Sequence, residues 1–230
     1  MALNQFDHRS RILPYIDREP PSLETQVRAP VRIGDHALNE AEKGWVEPSE
    51  RKQFRAAAVL VPIVEHQDGA HVLLTRRADH LGQHSGQVAF PGGKVDGGET
   101  ATEAALREAE EEVGLDRSHV EIAGYLDVYE TGTGFRILPV VGFVVPGFQL
   151  TVSEAEVAEV FEVPLSFLLD GHNHERHNVM WQGKRRHYYA MPYKSHYIWG
   201  ATAGMIRNLY ERVERERVVA ARPVERANEG

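Results

Sequence analysis

Glu108, Glu111 and Glu112 stand at spacings that bring three carboxylates side by side if their segment is helical. Successive helical residues turn by roughly 100°, so the three fall within one arc of about 100° while Glu110 points nearly opposite, towards solvent. Like charges three and four residues apart cost about 0.2–0.5 kcal/mol per pair. Gly114 reads as the residue just past the helix C-terminus, so Glu111 and Glu112 also oppose the macrodipole, which favours cations there. Positive charge must come from elsewhere. Clustered carboxylate oxygens suit a hard dication such as Mg2+, which keeps waters and substrate phosphates in its other positions and so points to a phosphate-bearing substrate.

The elements that must position these groups follow from the flanking sequence. Ala105, Leu106, Ala109 and Val113 make an adjacent apolar stripe able to bury against a sheet, and the small Ala101 and Ala104 flank the acidic arc. Ahead of the helix runs a loop with Gly93, Gly97 and Gly98, which needs a fixed strut. Residues 55–65 and 71–76 are apolar, β-branched runs separated by Gln67-Asp68-Gly69, a hairpin pattern. Residues 88–90 lead as a strand into the glycine loop, and 120–128 and 135–145 read as strands joined through Thr131-Gly132-Thr133-Gly134. Residues 198–213 carry Ile198, Met205, Ile206, Leu209 and Val213 at helical spacing, predicting a helix packed on the sheet. Together these strands, flanking one long amphipathic helix, predict a layered α+β domain.

A lone acidic run of this kind is most often a solvated helix face, but the wider spacing is specific. Gly93, five residues, Glu99, seven residues, then Arg107-Glu108-Ala109-Glu110-Glu111-Glu112-Val113-Gly114-Leu115 resembles the Nudix box, G-x5-E-x7-R-E-U-x-E-E-x-G-U with U aliphatic, at every fixed position. The resemblance implies the Nudix fold, an α+β arrangement with a mixed sheet sandwiched between helices, and hydrolysis of a nucleoside diphosphate linked to another group, with Mg2+ or Mn2+ held by Glu108, Glu111 and Glu112. Glu112 and Glu111 are implied catalytic positions, Glu111 as ligand or base, and Arg107 with Glu99 is implied to brace the loop against the helix. Nudix enzymes often add a glutamate from a loop after the box. Residues 153–165 are acidic and are either a short solvated helix or loop before Val163-Pro164, or the source of that glutamate, with Glu156 preferred to Glu159.

A narrower pattern precedes the box. Leu73-Leu74-Thr75-Arg76-Arg77-Ala78, then Gly86, then Phe90-Pro91-Gly92-Gly93 is similar to the signature of the coenzyme A pyrophosphatase branch of this family, as is Ile198-Trp199-Gly200-Ala201-Thr202-Ala203-Gly204-Met205. One position departs, since the signature's second arginine falls on Gly82. This resemblance spans roughly residues 55–213 and implies cleavage of coenzyme A or its thioesters to 4'-phosphopantetheine, or its acyl form, and adenosine 3',5'-bisphosphate. The substrate would then meet Arg76, Arg77, His84, Gly86, Phe90, Gly92 and Gly93. The box alone also fits an ADP-ribose or nucleoside triphosphate pyrophosphohydrolase, or a nucleotide-sensing module without turnover. A homodimer is the assembly that relatives suggest.

The rest of the chain narrows the reading. With 230 residues and 42% hydrophobic content, the expected organisation is an arm over 1–52 with a short helix laid on the main domain, a hydrolase domain over 53–216 and a charged tail over 217–230. A net charge of −8 argues against general nucleic-acid affinity. Having no cysteine, the chain has no thiolate site. Apolar runs are strand-length, and the N-terminus lacks a secretory pattern, so a soluble, cytoplasmic protein without membrane partners is expected. His172, His174 and His177 read as a solvated turn before a strand rather than a zinc site. Lys184-Arg185-Arg186-His187 is either a hairpin turn or a phosphate contact.

Overall fold

Two strands with unbroken apolar runs form the spine of the molecule, because such runs can be buried on both faces only at the centre of a sheet. The computed structural model describes residues 7–31, 33–34, 36–39, 53–82, 84–181 and 184–220. The arm supplies helices α1 (Asp7–Ile12) and α2 (Leu23–Arg28) and strand β1 (Ile33–Gly34). There follow β2 (Arg55–His66), β3 (Gly69–Arg77), β4 (Val88–Ala89), β5 (Gly92–Lys94) and the helix α3 (Ala101–Val113). Then come β6 (Val120–Tyr125), β7 (Tyr129–Glu130), β8 (Phe135–Val144), β9 (Val157–Pro164) and α4 (Leu165–Leu168). A three-stranded sheet of β10 (Glu175–Trp181), β11 (Lys184–Tyr193) and β12 (His196–Trp199) leads into α5 (Gly200–Ala220).

The spine is β2 and β8, parallel from Arg55 opposite Phe135 to Val64 opposite Val144. The main sheet runs β1-β7-β8-β2-β3-β4, with β5 beside β2, β6 beside β8 and β9 beside β3. Strand alternation divides the core. Ala58, Leu60 and Val64 of β2 face Ala105, Ala109 and Val113 of α3, while Val59, Val61 and Ile63 face the side of Ile206, Leu209 and Val213 of α5. The mixed sheet between helices is the layered α+β arrangement expected.

The arm is laid against this core at several points. Ile12 and Ile16 are buried, Arg9 grips Glu65 through Nε and Nη2, and the Gln26 side-chain amide donates to the carbonyls of Ala57 and Arg136. It carries two helices where one was expected, and residues 40–52 lie outside the described residues; of the tail expected over 217–230, residues 217–220 continue α5 and 221–230 lie outside the described residues.

Three expectations are corrected. Residues 157–164 are not helix or loop but an edge strand antiparallel to β3, in which Val163 is fully buried. Its acidic residues find partners: Glu159 meets His196 and Arg76, and Glu162 meets His66. Ile198 belongs to β12, not to the last helix, which begins at Gly200 with φ +65. Arg185, Arg186 and His187 are strand residues paired to Met180, Val179 and Asn178 rather than a turn.

Candidate active site

Local chemistry fixes where α3 begins and ends. Thr100 accepts from the Glu103 N–H while the Glu103 carboxylate accepts from the Thr100 N–H, a reciprocal cap, and Gly114 closes the helix in the left-handed region at φ 70. The expected strut is present. Arg107 donates through Nε and Nη2 to both Glu99 oxygens and through Nη2 to the Lys94 carbonyl, tying the glycine loop to the helix. Glu99 also accepts from the Asp96 N–H, and these donors hold its carboxyl below the usual range.

The three helix glutamates have different surroundings. Glu112 has a side chain only 5% exposed; it accepts from the Gly92 N–H at 3.2 Å and lies 3.9 Å from Arg77 Nη1. Burial pushes its carboxyl up to about 7, with the Glu108 charge adding to the rise. Glu108, half-buried, accepts from Arg107 at 3.0 Å, yet desolvation still raises its pKa. Glu111 is 60% exposed and is drawn towards Arg107, 3.0 Å away. Ala101 and Ala104, expected to flank the acidic edge, are buried in the core beneath it. Glu110 does not simply face solvent, because it accepts from the Arg117 side chain and backbone N–H beyond the helix end.

The glycine pair before the helix leaves room for this arrangement. A Cβ on Gly93 would stand 2.3 Å from Glu108 Oε1, and one on Gly92 would stand 2.4 Å from the Ala58 carbonyl oxygen. Phe90 is corrected: it is 3% exposed and packs in the core, so it anchors the loop rather than offering a surface to a ligand.

Glu156 comes close enough for its charge to raise both Glu108 and Glu112. The connection that brings it there was not legible in the sequence. The Thr151 and Ser153 N–H groups donate to the carbonyls of Val113 and Glu112, and the Ala78 N–H donates to the Glu156 carbonyl, so the turn bearing Glu156 is pinned between the end of α3 and the end of β3. Glu159 is held away by Arg76 and His196.

Arg77 reaches towards Glu112, and its Nε is buried without a hydrogen-bond partner. Arg76 pairs with Asp79 at 2.7 Å. Beyond them the chain turns through His84 and Gly86, both at positive φ (59 and 67), with His84 Nδ1 2.8 Å from Gln87 Oε1. Gly82 has open space where a side chain would start. His172 and His174 bind Asp170 and the Leu168 carbonyl in a turn preceding β10, whereas His177, expected in that turn, belongs to β10 itself and meets Glu175 at 2.6 Å.

The buried carboxylate of Glu112, with its nearest guanidinium 3.9 Å away, and the half-buried carboxylate of Glu108, whose charge it feels, are donors of the type a hard dication takes, so Mg2+ or Mn2+ fits here. A mixed sheet between helices, with a braced glycine loop delivering glutamates from one helix, defines a Nudix domain. The NUDIX domain model matches residues 54–182, and the chain belongs to that family. It is 43% identical over 161 residues to the uncharacterised Nudix hydrolase NudL of Escherichia coli K12, covering 70% of this chain and 83% of that protein. It is 44% identical over 156 residues to NudL of Enterobacter sp. strain 638, covering 67% and 81%. Among solved structures it is similar to the MutT protein of Methanosarcina mazei Go1, with TM-score 0.47 and 22% identity over 71% of this chain and 95% of that one. Nudix hydrolases generally use divalent metals such as Mg2+ or Mn2+.

Proposed function

We propose that the protein is a metal-dependent diphosphate hydrolase that cleaves coenzyme A or its thioesters to 4'-phosphopantetheine, or its acyl form, and adenosine 3',5'-bisphosphate. The observation that carries the reading is the placing of Arg77, from the strand that bears the coenzyme A-type signature, 3.9 Å from the buried carboxylate of Glu112. A diphosphate bridging the two would meet the phosphate-binding side chain and the metal-holding side chain at once.

In this reading Glu108 and Glu112 hold Mg2+ or Mn2+, and Glu111 joins them by leaving Arg107. The ion would neutralise the non-bridging oxygens, lower the pKa of a water and stabilise the departing phosphate. Arg107 keeps the Gly93 loop fixed against the helix. Glu156, pinned beside the pair, accepts the proton of the attacking water. Arg77 binds the diphosphate through donors that include its unpartnered Nε, and Arg76 exchanges Asp79 for a phosphate oxygen. The turn through His84 and Gly86 forms the rim against which the rest of the substrate lies.

The experiment is incubation of the protein with Mg2+ or Mn2+ and, separately, coenzyme A, acetyl-coenzyme A, ADP-ribose, NADH, diadenosine tetraphosphate and nucleoside triphosphates, with products identified by mass. Appearance of adenosine 3',5'-bisphosphate from the first two, ahead of turnover of the rest, is the expected result. Cleavage of ADP-ribose alone would retain the hydrolase and remove the coenzyme A assignment, and no cleavage of any member would leave only a nucleotide-sensing module.

A further inference from the structure

At the opposite end of β3 from Arg77 stands a second group of metal-ligating side chains that the hydrolase reading does not use. His66 closes β2, His71 lies near the start of β3 and Glu162 lies in β9. Register puts all three on one face of the sheet: Val64 is opposite His71 and Glu162 is opposite Leu73, each two residues from the next member of the face. One ligand atom from each lies within 4.8 Å of the others. Six residues of strand separate His71 from Arg77, about 20 Å at ~3.3 Å per residue, so this group is remote from Glu112.

The chemistry differs from that of the helix carboxylates. His66 Nε2 is 2.6 Å from Glu162 Oε2, and the rings of His66 and His71 are 5.3 Å apart, nearly perpendicular. His71 Nδ1 is 3.2 Å from the Gly69 carbonyl oxygen. A carbonyl only accepts, so Nδ1 carries the hydrogen and Nε2 is left with its lone pair. A ring N–H donated to a backbone carbonyl is the usual second partner of a metal-bound histidine, because it fixes the tautomer and turns the free nitrogen towards the ion. His66 and Glu162 are 33% and 29% exposed, so an ion can reach them.

We infer that His66, His71 and Glu162 form a second metal site, for a transition-metal dication of the Zn2+ type, with water completing the coordination. Two imidazoles and one carboxylate favour such an ion over Mg2+, whose preference is for oxygen ligands. Bonds of about 2.0–2.1 Å place tetrahedral ligands roughly 3.3 Å apart, so the wider gaps, none above 4.8 Å, close by at most about 1.5 Å while the His66–Glu162 pair at 2.6 Å opens slightly, a side-chain adjustment at the end of a hairpin. The bound ion clasps β2, β3 and β9 together and so secures the outer strand that follows the Glu156 turn. Its role is structural, and it does not depend on what the helix carboxylates hydrolyse.

The test uses the full chain in millimolar Mg2+, with Co2+ as a spectroscopic probe and Zn2+ as competitor. One Co2+ per chain is expected, giving visible d–d absorption that Zn2+ abolishes and that persists in a Glu108→Gln, Glu112→Gln double variant. His71→Ala, His71→Gln and Glu162→Gln should each weaken Co2+ binding about 10- to 100-fold and remove the rise in Tm that Zn2+ gives the wild type. Equal Co2+ affinity in wild type and these variants, loss of the absorption in the double variant alone, or no Co2+ uptake under excess Mg2+ would each overturn the site.

Discussion

Replacing Glu112 with glutamine separates the cost of the site from its use. In the metal-free protein, burial pushes the Glu112 carboxyl from 4.5 up to about 7. A folded-state pKa above the unfolded one means that the fold binds the proton more tightly. This contribution to stability is therefore complete below pH 4.5 and is lost as pH rises through about 7. The difference, 7 − 4.5, is 2.5 units, which at about 1.4 kcal/mol per unit is roughly 3 kcal/mol. Glutamine stays neutral throughout and its oxygen can still accept from the Gly92 N–H, so Glu112→Gln should not show that loss.

Thermal unfolding of both proteins in a chelator tests this directly. Their Tm values should agree near pH 4.5 and separate as pH rises, until at pH 8 the variant melts roughly 6–12 °C higher, taking 2–4 °C per kcal/mol for a chain of this size. Comparing the two proteins cancels groups whose shifts run the other way, such as Glu65 and Glu99, held low by Arg9 and Arg107. Adding Mg2+ should reverse the order, because only the wild type retains both the Glu108 and Glu112 carboxylates, and turnover in the variant should fall by orders of magnitude. A constant Tm difference across this pH range, or a variant less stable at pH 8, would refute the claim that an uncompensated buried charge waits for a cation.

Glu110→Gln gives the contrast: it loses an exposed pair with Arg117, which should cost under about 1 kcal/mol and leave turnover within twofold. Equal losses of activity in Glu110→Gln and Glu112→Gln would mean that the wrong helix face has been assigned. Gly93→Ala places a Cβ 2.3 Å from Glu108 Oε1, so the carboxylate must move; activity should drop more than tenfold while Tm changes by only a few degrees. Gly82→Arg enters open space and restores the signature's missing cation, worth about 1.5–3 kcal/mol against a phosphate, or roughly 10- to 100-fold in KM. Wild type should cut coenzyme A and 3'-dephospho-coenzyme A alike, and Gly82→Arg should prefer the former; strong preference for the 3'-phosphate already in wild type would make Gly82 irrelevant to it.

What could be read in advance separates by how far the governing interactions reach along the chain. The stop at Gly114 and the Glu99–Arg107 brace act within a few turns of one helix, and their spacing carries them. β9 shows the opposite case. Val157-Ala158-Glu159-Val160-Phe161-Glu162 has no clean alternation, and its acids make it look solvated until β3 supplies the backbone partners and His196, Arg76 and His66 supply the countercharges. Residues 198–213 failed for a related reason: Ile198 is buried in a strand across from Met191, and the apolar count is the same whether it begins a helix or ends a strand. Only the positive φ of Gly200 divides the two. The same limit explains the second metal group, since His66 and Glu162 are 96 residues apart and each looks unremarkable alone. Their meeting follows from the register of β9 on β3, and a slip of one residue would send Glu162 to the other face and break the contact. The chemistry of α3 is therefore carried by one segment, whereas that of the hairpin end is carried by a pairing, and only a folded chain can display it.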